Sequence, residues 1–308
     1  MSLDVVICTR NRPLELDACL RSLAIQSELP DAVVIVDSSD ELDPLPDVAL
    51  PVRRFSSAVG LPLQRNFALR HVTSDLVTFL DDDVELEPEY IAAIKHWFLE
   101  TEDCVGVSGN ITNDPRRPGL SRAFRRLFDI ANDDGLLRRS GDVGYLRHPQ
   151  IAACVDVISG SNMTFRRTAL HSIRFREDLG RYAYMEDADV ALRLRGVGTL
   201  WMLPEAKLVH HRTPAARLPR REYVAEVLRN STLLFVAHRD NHALSFPQFL
   251  RRMLGRVTAY AALGARAGSA QPLLGVVDGL GASRRVLRAA QGGGATAATV
   301  STAPTERR

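Results

Sequence analysis

The chain has 308 residues, of which 45% are hydrophobic, 25% charged and 6% aromatic, with 20 Gly and 16 Pro. These proportions exclude collagen-like, disulfide-scaffold and wholly disordered chains. The net charge of +2 conceals a split: residues 210–308 carry 15 Arg against 5 Asp and Glu, leaving 24 basic and 32 acidic groups in residues 1–209.

In chain order, Val5-Val6-Ile7-Cys8 predicts a buried strand and Thr9-Arg10-Asn11-Arg12-Pro13 a polar turn. Leu14, Leu16, Cys19, Leu20 and Leu23 then recur at helical spacing, and Ala32–Val36 is a second apolar run ending at Asp37. This is a strand–helix–strand unit with a parallel pair, the kind of sheet that places ligands at its strand ends. Residues 40–51 read as a loop, 62–71 as a helix, Leu76–Leu80 as a strand closed by Asp81-Asp82-Asp83, 88–100 as a helix and 105–109 as a strand. Residues 113–150 show no periodicity and are expected to be an irregular, partly helical, mobile insertion. Strands are expected over 151–159 and 163–165, a helix over 187–195, and two strands at 201–203 and 207–209. Beyond His211 only helical patterns follow, at 222–236 and 247–263. From Gln291 onward Gly, Ala and Thr dominate, which predicts disorder. The expected division is a catalytic unit over 1–212 (halves 1–110 and 111–212), a basic helical extension over 213–290 and a tail over 291–308.

Cys8, Cys19, Cys104 and Cys154 are scattered without a C-x-x-C pair and read as small core residues. The N-terminus shows no basic segment leading into a long apolar one, and no apolar run approaches membrane-spanning length. The expected location is therefore cytoplasmic.

Four clusters could carry chemistry. Three adjacent carboxylates repel unless a cation or hydrogen bonds compensate, and Asp81 and Asp83 share a side of an extended chain. Hard oxygen ligands suit a divalent cation, although acids before Pro88 could instead favour a helix start. Glu186-Asp187, with Asp189 beyond, could supply a general base or simply begin a helix. His210-His211 could complete a metal site or be a solvated pair. Asp37 could accept a hydrogen bond from a base or ribose, or shape a turn.

The order and spacing of these motifs go further. V-V-I-C-T-R-N-R-P, V-I-V-D-S-S-D, Q-R-N-F-A, F-L-D-D-D-V-E-L-E-P-E-Y, G-S-N-M-T-F-R-R, M-E-D-A-D-V-A-L-R-L-R-G-V-G and L-V-H-H together resemble a family 2 nucleotide-sugar glycosyltransferase, over roughly residues 3–240. The resemblance implies a GT-A fold: a Rossmann-like α/β, mixed, mostly parallel sheet flanked by helices, here with a C-terminal helical extension. By the same resemblance Thr9 and Arg10 approach the nucleoside, Asp37 reads the base with Arg65 behind it, and Asp81 and Asp82 frame ribose and diphosphate. Asp83 is the first choice of metal ligand, with Asp81 and His211, or less favoured His210. Gly160-Ser161-Asn162 lines the sugar and acceptor, and Asp187 is the catalytic base beside Glu186. Arg229-Asn230 is similar to a helical R-N of rhamnosyltransferase-like members. Two departures stand out: Ser38-Ser39 follows Asp37 where many members have a second acid, and Gly180–Tyr184 replaces the usual Phe-Asp-Glu run.

The implied reaction is inverting transfer from a UDP-, dTDP- or GDP-linked sugar to a glycan or lipid-linked hydroxyl, with Mn²⁺ or Mg²⁺ as cofactor, in envelope polysaccharide synthesis. The alternative is a non-catalytic nucleotide-sugar-binding protein on the same fold. A pyrophosphorylase would need a Gly-rich basic loop near the N-terminus, and a dinucleotide oxidoreductase G-x-G-x-x-G after the first strand; the turn here is T-R-N-R-P. The basic segment reads either as a cap with its arginines on the wet face or as an amphipathic helix for an anionic membrane surface. Nucleic acid is not an expected partner, since aromatics do not interleave the basic residues.

Overall fold

The computed structural model describes residues 1–115, 122–171, 173–180, 182–213 and 218–291. One sheet organises the first two-thirds of the chain. Its strands are β1 (Leu3–Thr9), β2 (Ala32–Asp37), β3 (Val52–Ser56), β4 (Leu76–Asp81), β5 (Val84–Leu86), β6 (Cys104–Ile111), β7 (Ala153–Val155), β8 (Asn162–Arg166) and β9 (Thr199–His210). The order across the sheet is β3-β2-β1-β4-β8-β6-β9-β5, with β7 paired to β9. Strands β3, β2, β1 and β4 run parallel. Strand β8 is antiparallel to both β4 and β6, while β6 and β9 are parallel.

The parallel strands are nearly continuous apolar runs because both faces are covered. On one face lie α1 (Pro13–Ala24) and α3 (Tyr90–Glu100), which bury Leu16, Cys19, Leu20, Leu23, Ile91, Ile94 and Phe98. On the other lie α2 (Leu61–Ala68) and α5 (Glu186–Leu194), which bury Ala68, Ala188, Val190, Ala191 and Leu194. The chain leaves β1 to pair with β2 on one side and β4 on the other, so a crevice opens at the carboxyl ends of these strands, where open α/β sheets bind ligands.

The fold class agrees with expectation, but several elements differ. The two strands expected at 201–203 and 207–209 are one strand: its register shifts around Pro204, which has no N–H for the ladder, so the break is a bulge. Strand β3 was hidden by its half-exposed V-R-R-F-S edge sequence, and β5 by its three-residue length. Among the described residues of 113–150 one short helix, α4 (Arg122–Leu127), forms, and residues 129–142 are irregular but held by hydrogen bonds. Cys19 and Cys104 are core residues; Cys8 is only partly buried and Cys154 is exposed on the β7 edge. Beyond Gln291 the expected tail lies outside the described residues.

Three helices close the chain: α6 (Arg220–His238), α7 (Phe246–Arg266) and α8 (Gln271–Gln291). They share a core of Val224, Leu228, Phe235, Phe249, Met253 and Val276. Helix α8 buries a face of mostly small residues, Pro272, Gly275, Val276, Gly279 and Ser283, and its glycines are packing devices: a Cβ on Gly275 would lie 2.5 Å from the Arg221 carbonyl, and one on Gly279 3.0 Å from Ala225. The expectation that the α7 arginines face water is overturned for two of them. Arg252 is wholly buried and Arg256 mostly so, because both reach the buried carboxylate of Asp142, at 3.4 and 2.5 Å. Among the described residues no helix is long and apolar enough to cross a membrane.

Candidate active site

A cavity of about 710 Å³ opens at the carboxyl ends of β1 and β4 and beneath the N-terminus of α5. Its walls bring together Thr9, Arg10, Arg65, Asp81, Asp82, Asp83, Gly160, Ser161, Glu186, Asp187 and His210. Asp37, Asn162 and His211 are not among its lining residues.

The acidic triplet divides its labour. Asp82 turns inward and accepts hydrogen bonds from the Thr9 hydroxyl at 2.7 Å and the Arg12 guanidinium at 2.8 Å. Burial nevertheless pushes its pKa up to about 6, against the pull of Arg12 and Thr9. Asp83 meets His210 Nε2 at 3.1 Å, accepts from the Thr213 N–H at 2.9 Å and lies 3.4 Å from Arg12. Burial acts to raise its pKa, but the contacts with His210, Thr213 and Arg12 leave it below the usual carboxylate value. Asp81 is raised by burial, against His210 and Arg65. Ligand atoms of Asp81, Asp83 and His210 all lie within 4.8 Å of one another. Two carboxylates and an imidazole suit a divalent cation of the Mn²⁺ type, so these residues fit a metal.

The histidine is the one that was the second choice. Strand β9 pairs antiparallel with β5, and this register sets His210 opposite Val84, beside the triplet. His211 therefore points the other way, where Nε2 lies 2.7 Å from Glu85 and about half the side chain is exposed.

Asp37 sits in a small neighbouring niche, where Oδ1 accepts from the Ser39 N–H at 2.8 Å and Oδ2 from Arg54 Nε at 3.1 Å. The basic residue behind Asp37 is thus Arg54 of β3. Arg65 is elsewhere: it pairs with Glu186, donates to the Gly160 carbonyl at 2.8 Å and lies 3.5 Å from Asp81. Lying 5.7 and 5.5 Å from the ring centres of Phe79 and Phe175, this buried guanidinium ties the end of β4 to the start of α5. Asn162 also departs from its expected place. Its side chain is fully buried and accepts from the Gly109 N–H at 2.7 Å and the Ser108 hydroxyl at 2.9 Å, which joins β8 to β6. Gly160 and Ser161 do line the cavity.

Asp187 begins α5 with its carboxylate partly open to the cavity. Oδ1 accepts from Tyr145 Oη and the Ala188 N–H, both at 2.8 Å, and Oδ2 from the Gly160 N–H at 2.9 Å. Burial raises its pKa above the usual value, and these donors only partly offset that, a direction that suits a base accepting a proton. The turn ahead of α5 is strained at Ala183 and Met185, whose φ of +53° and +71° are left-handed, while glycine at 180 takes its φ of +90° without cost. Helix α6 holds it. Asn230 Nδ2 donates to the carbonyls of Leu179 at 2.9 Å and Tyr184 at 3.1 Å, Arg229 to that of Asp178 at 2.7 Å, and Glu226 accepts from the Tyr184 N–H at 3.2 Å. The R-N pair is thereby a brace for the turn that presents Asp187.

Sequence reasoning missed Arg12, Tyr145, Arg147, His148, Arg212 and Thr213, all lining the cavity. Arg12 was visible as the second arginine of the first turn. The others stand on irregular segments that carry no periodic signal.

Residues 4–174 match the family model described as Glycosyl transferase family 2. No curated protein matches the chain. Three solved structures are similar to it. TarS 1–349 of S. aureus in complex with UDP-GlcNAc is 17% identical, with 95% of this chain and 92% of that one covered and a TM-score of 0.51. The mannosyltransferase PcManGT from Pyrobaculum calidifontis in complex with GDP-Man and Mn²⁺ is 18% identical, with coverages of 95% and 86% and a TM-score of 0.55. GalNAc-T7 with UDP, GalNAc and Mn²⁺ is 13% identical, with coverages of 83% and 54% and a TM-score of 0.53. At such identities the likeness establishes the fold, GT-A.

Proposed function

The chain belongs to glycosyltransferase family 2, and on that premise we propose that it moves a hexosyl or deoxyhexosyl group from a nucleoside-diphosphate sugar to an acceptor hydroxyl, with inversion and with Asp187 as general base. The observation that carries this reading is a shared cavity: Asp187 opens into the same space as the Asp81, Asp83 and His210 cluster. Asp187 takes the proton of the acceptor hydroxyl. The oxygen bonds to the anomeric carbon as the bond from that carbon to the diphosphate breaks, and the nucleoside diphosphate leaves with the electron pair. A divalent cation, Mn²⁺ or Mg²⁺, held by Asp83, Asp81 and His210 would offset the charge of that leaving group. Thr9, Arg10 and Asp82 border the nucleotide, and Gly160 and Ser161 the sugar. Residues 1–212 form the catalytic unit in this reading, and 213–290 its cap.

Nucleoside diphosphate release from UDP-, GDP- and dTDP-sugars with Mn²⁺ tests the proposal. We expect release with one donor class and its loss in Asp187→Asn, with nucleotide binding kept. Binding without release by any donor would favour a non-catalytic nucleotide-sugar protein instead.

The acceptor we propose is a glycan or lipid-linked hydroxyl of envelope polysaccharide, reached from the cytoplasmic membrane face. Supporting this, α7 and α8 expose Leu250, Leu254, Leu273, Val277 and Leu280 alongside Arg251, Arg284, Arg285 and Arg288. Apolar side chains flanked by arginines suit an anionic bilayer surface.

A further inference from the structure

The polar contacts of Asp187 point beyond the base itself to the group that aims it. An ionised carboxylate offers about four acceptor positions, two on each oxygen. Both positions on Oδ1 are filled, by Tyr145 Oη and the Ala188 N–H. On Oδ2 the Gly160 N–H fills one. A Cβ on residue 160 would sit 3.2 Å from that oxygen, so glycine keeps this donor close. One position remains, on Oδ2, and Asp187 lines the cavity.

Tyr145 is held by what surrounds it. Gly144 leaves no room for movement on one side, since a Cβ there would lie 1.6 Å from the Asn132 carbonyl. Val143 bridges to Leu137. Asp142 accepts from the Ala131 N–H at 2.9 Å and is clamped by Arg252 and Arg256 of α7. Burial and the negative charge of Asp187 both push the Tyr145 hydroxyl far above its usual pKa, so it remains a donor.

We infer that Tyr145 is a positioning residue for Asp187: its hydroxyl saturates Oδ1 and so directs the incoming proton to Oδ2, and α7 holds it there through Asp142. The inference rests on Asp187 being the base. The proton moves from the acceptor oxygen, or from water during donor hydrolysis, to Oδ2, while the Tyr145 O–H stays intact. Among the described residues, the charged and titratable groups near Asp187 include Arg65 on α2, Glu186 beside it on α5, and Tyr145 and Tyr184 on the flanking segments, with Arg147 and His148 lining the same cavity.

Two readouts test this in the full-length protein. The first is Mn²⁺-dependent hydrolysis of UDP-GlcNAc, GDP-mannose and dTDP-rhamnose. Tyr145→Phe is expected to lower kcat about tenfold to a hundredfold, because the carboxylate loses its aim even as it becomes the stronger base, with KM unchanged. The second needs no turnover. With carboxyl-¹³C aspartate, the Asp187 resonance is assigned by its disappearance in Asp187→Asn, and its titration midpoint in Tyr145→Phe is expected to rise by about one pH unit. Arg256→Gln, which loosens the clamp, is expected to shift the midpoint the same way but less. An unchanged midpoint in Tyr145→Phe overturns the inference, as does an unchanged or raised kcat. A shifted midpoint alongside an active Asp187→Asn would keep the contact but remove the base reading on which the catalytic role depends.

Discussion

The substitution Asp142→Asn isolates a single charge. Asparagine keeps the shape of the side chain and can still accept the Ala131 N–H, but it leaves the Arg252 guanidinium, wholly buried, and Arg256 facing each other without a counterion. Removing one partner of a buried ion cluster costs about 3–5 kcal/mol. For a chain of this size that corresponds to a fall of roughly 6 °C or more in Tm, measured by calorimetry or circular dichroism at pH 7. Replacing the whole cluster, as Asp142→Leu with Arg252→Met and Arg256→Met, should recover most of the loss, because no charge is then left buried. The pH dependence has a definite sign. Burial acts to raise the pKa of Asp142, but Arg256, Arg252 and the Ala131 N–H together hold it below the usual carboxylate value. Its contribution is therefore present above the ordinary carboxylate pKa and lost as pH falls through the lowered one. Asp142→Asn should flatten that acid slope. A loss under about 1 kcal/mol at pH 7, with the slope intact, would refute the claim that α7 is docked through a desolvated ion cluster.

Other substitutions probe the remaining geometry. His210→Ala and Asp83→Asn should each weaken Mn²⁺ binding by about tenfold or more, whereas His211→Ala, paired with Glu85, should leave it unchanged in calorimetric titration. Asn230→Ala strips the donors from the Leu179 and Tyr184 carbonyls and should cost about 1–3 kcal/mol; kcat for donor hydrolysis should fall with it, since the strained turn carrying Asp187 loses its brace. Leu250→Ser with Leu254→Ser and Val277→Ser should reduce co-sedimentation with anionic vesicles and leave hydrolysis of soluble donors unchanged. Point substitutions suit this better than truncation at residue 240, which would remove the arginines that neutralise Asp142.

Much of the parallel half of the fold was legible because buried strands write themselves as short apolar runs and the turns after them are polar. Strand β1, strand β2, strand β4 and helix α1 announce themselves in this way. What stayed hidden follows from specific physics. Strand β3 is a half-exposed edge, α8 buries a face of mostly small residues, and the bulge at Pro204 splits one strand into two apparent ones. In the site, motif order found the acids but not their partners. The choice between His210 and His211 is a one-residue question of register, and register is fixed by the β5–β9 pairing that no local pattern encodes. Arg65, assigned to the Asp37 niche by motif order, instead pairs with Glu186 and Asp81. Tyr145 stands on a segment with no period at all.

The charge split takes on a different meaning once burial is known. A local excess of positive charge in the last hundred residues suggests a surface for an anionic partner. Yet part of that excess faces inward: Arg252 and Arg256 neutralise Asp142, and Arg229 braces the turn before α5. Arg221 pairs on the surface with Asp278, within the helical region itself. The acids of the first two-thirds are likewise partly matched from within, Asp82 and Asp83 by Arg12, and Asp81 and Glu186 by Arg65. The last three helices are thus joined to the first two-thirds of the chain through charge, and the join lies three residues from the tyrosine that touches Asp187. Among the described residues, Arg220 on α6 and the exposed arginines on α7 and α8 remain for an outside partner. The face proposed to meet a membrane and the Asp142 clamp behind Tyr145 belong to the same helix, α7.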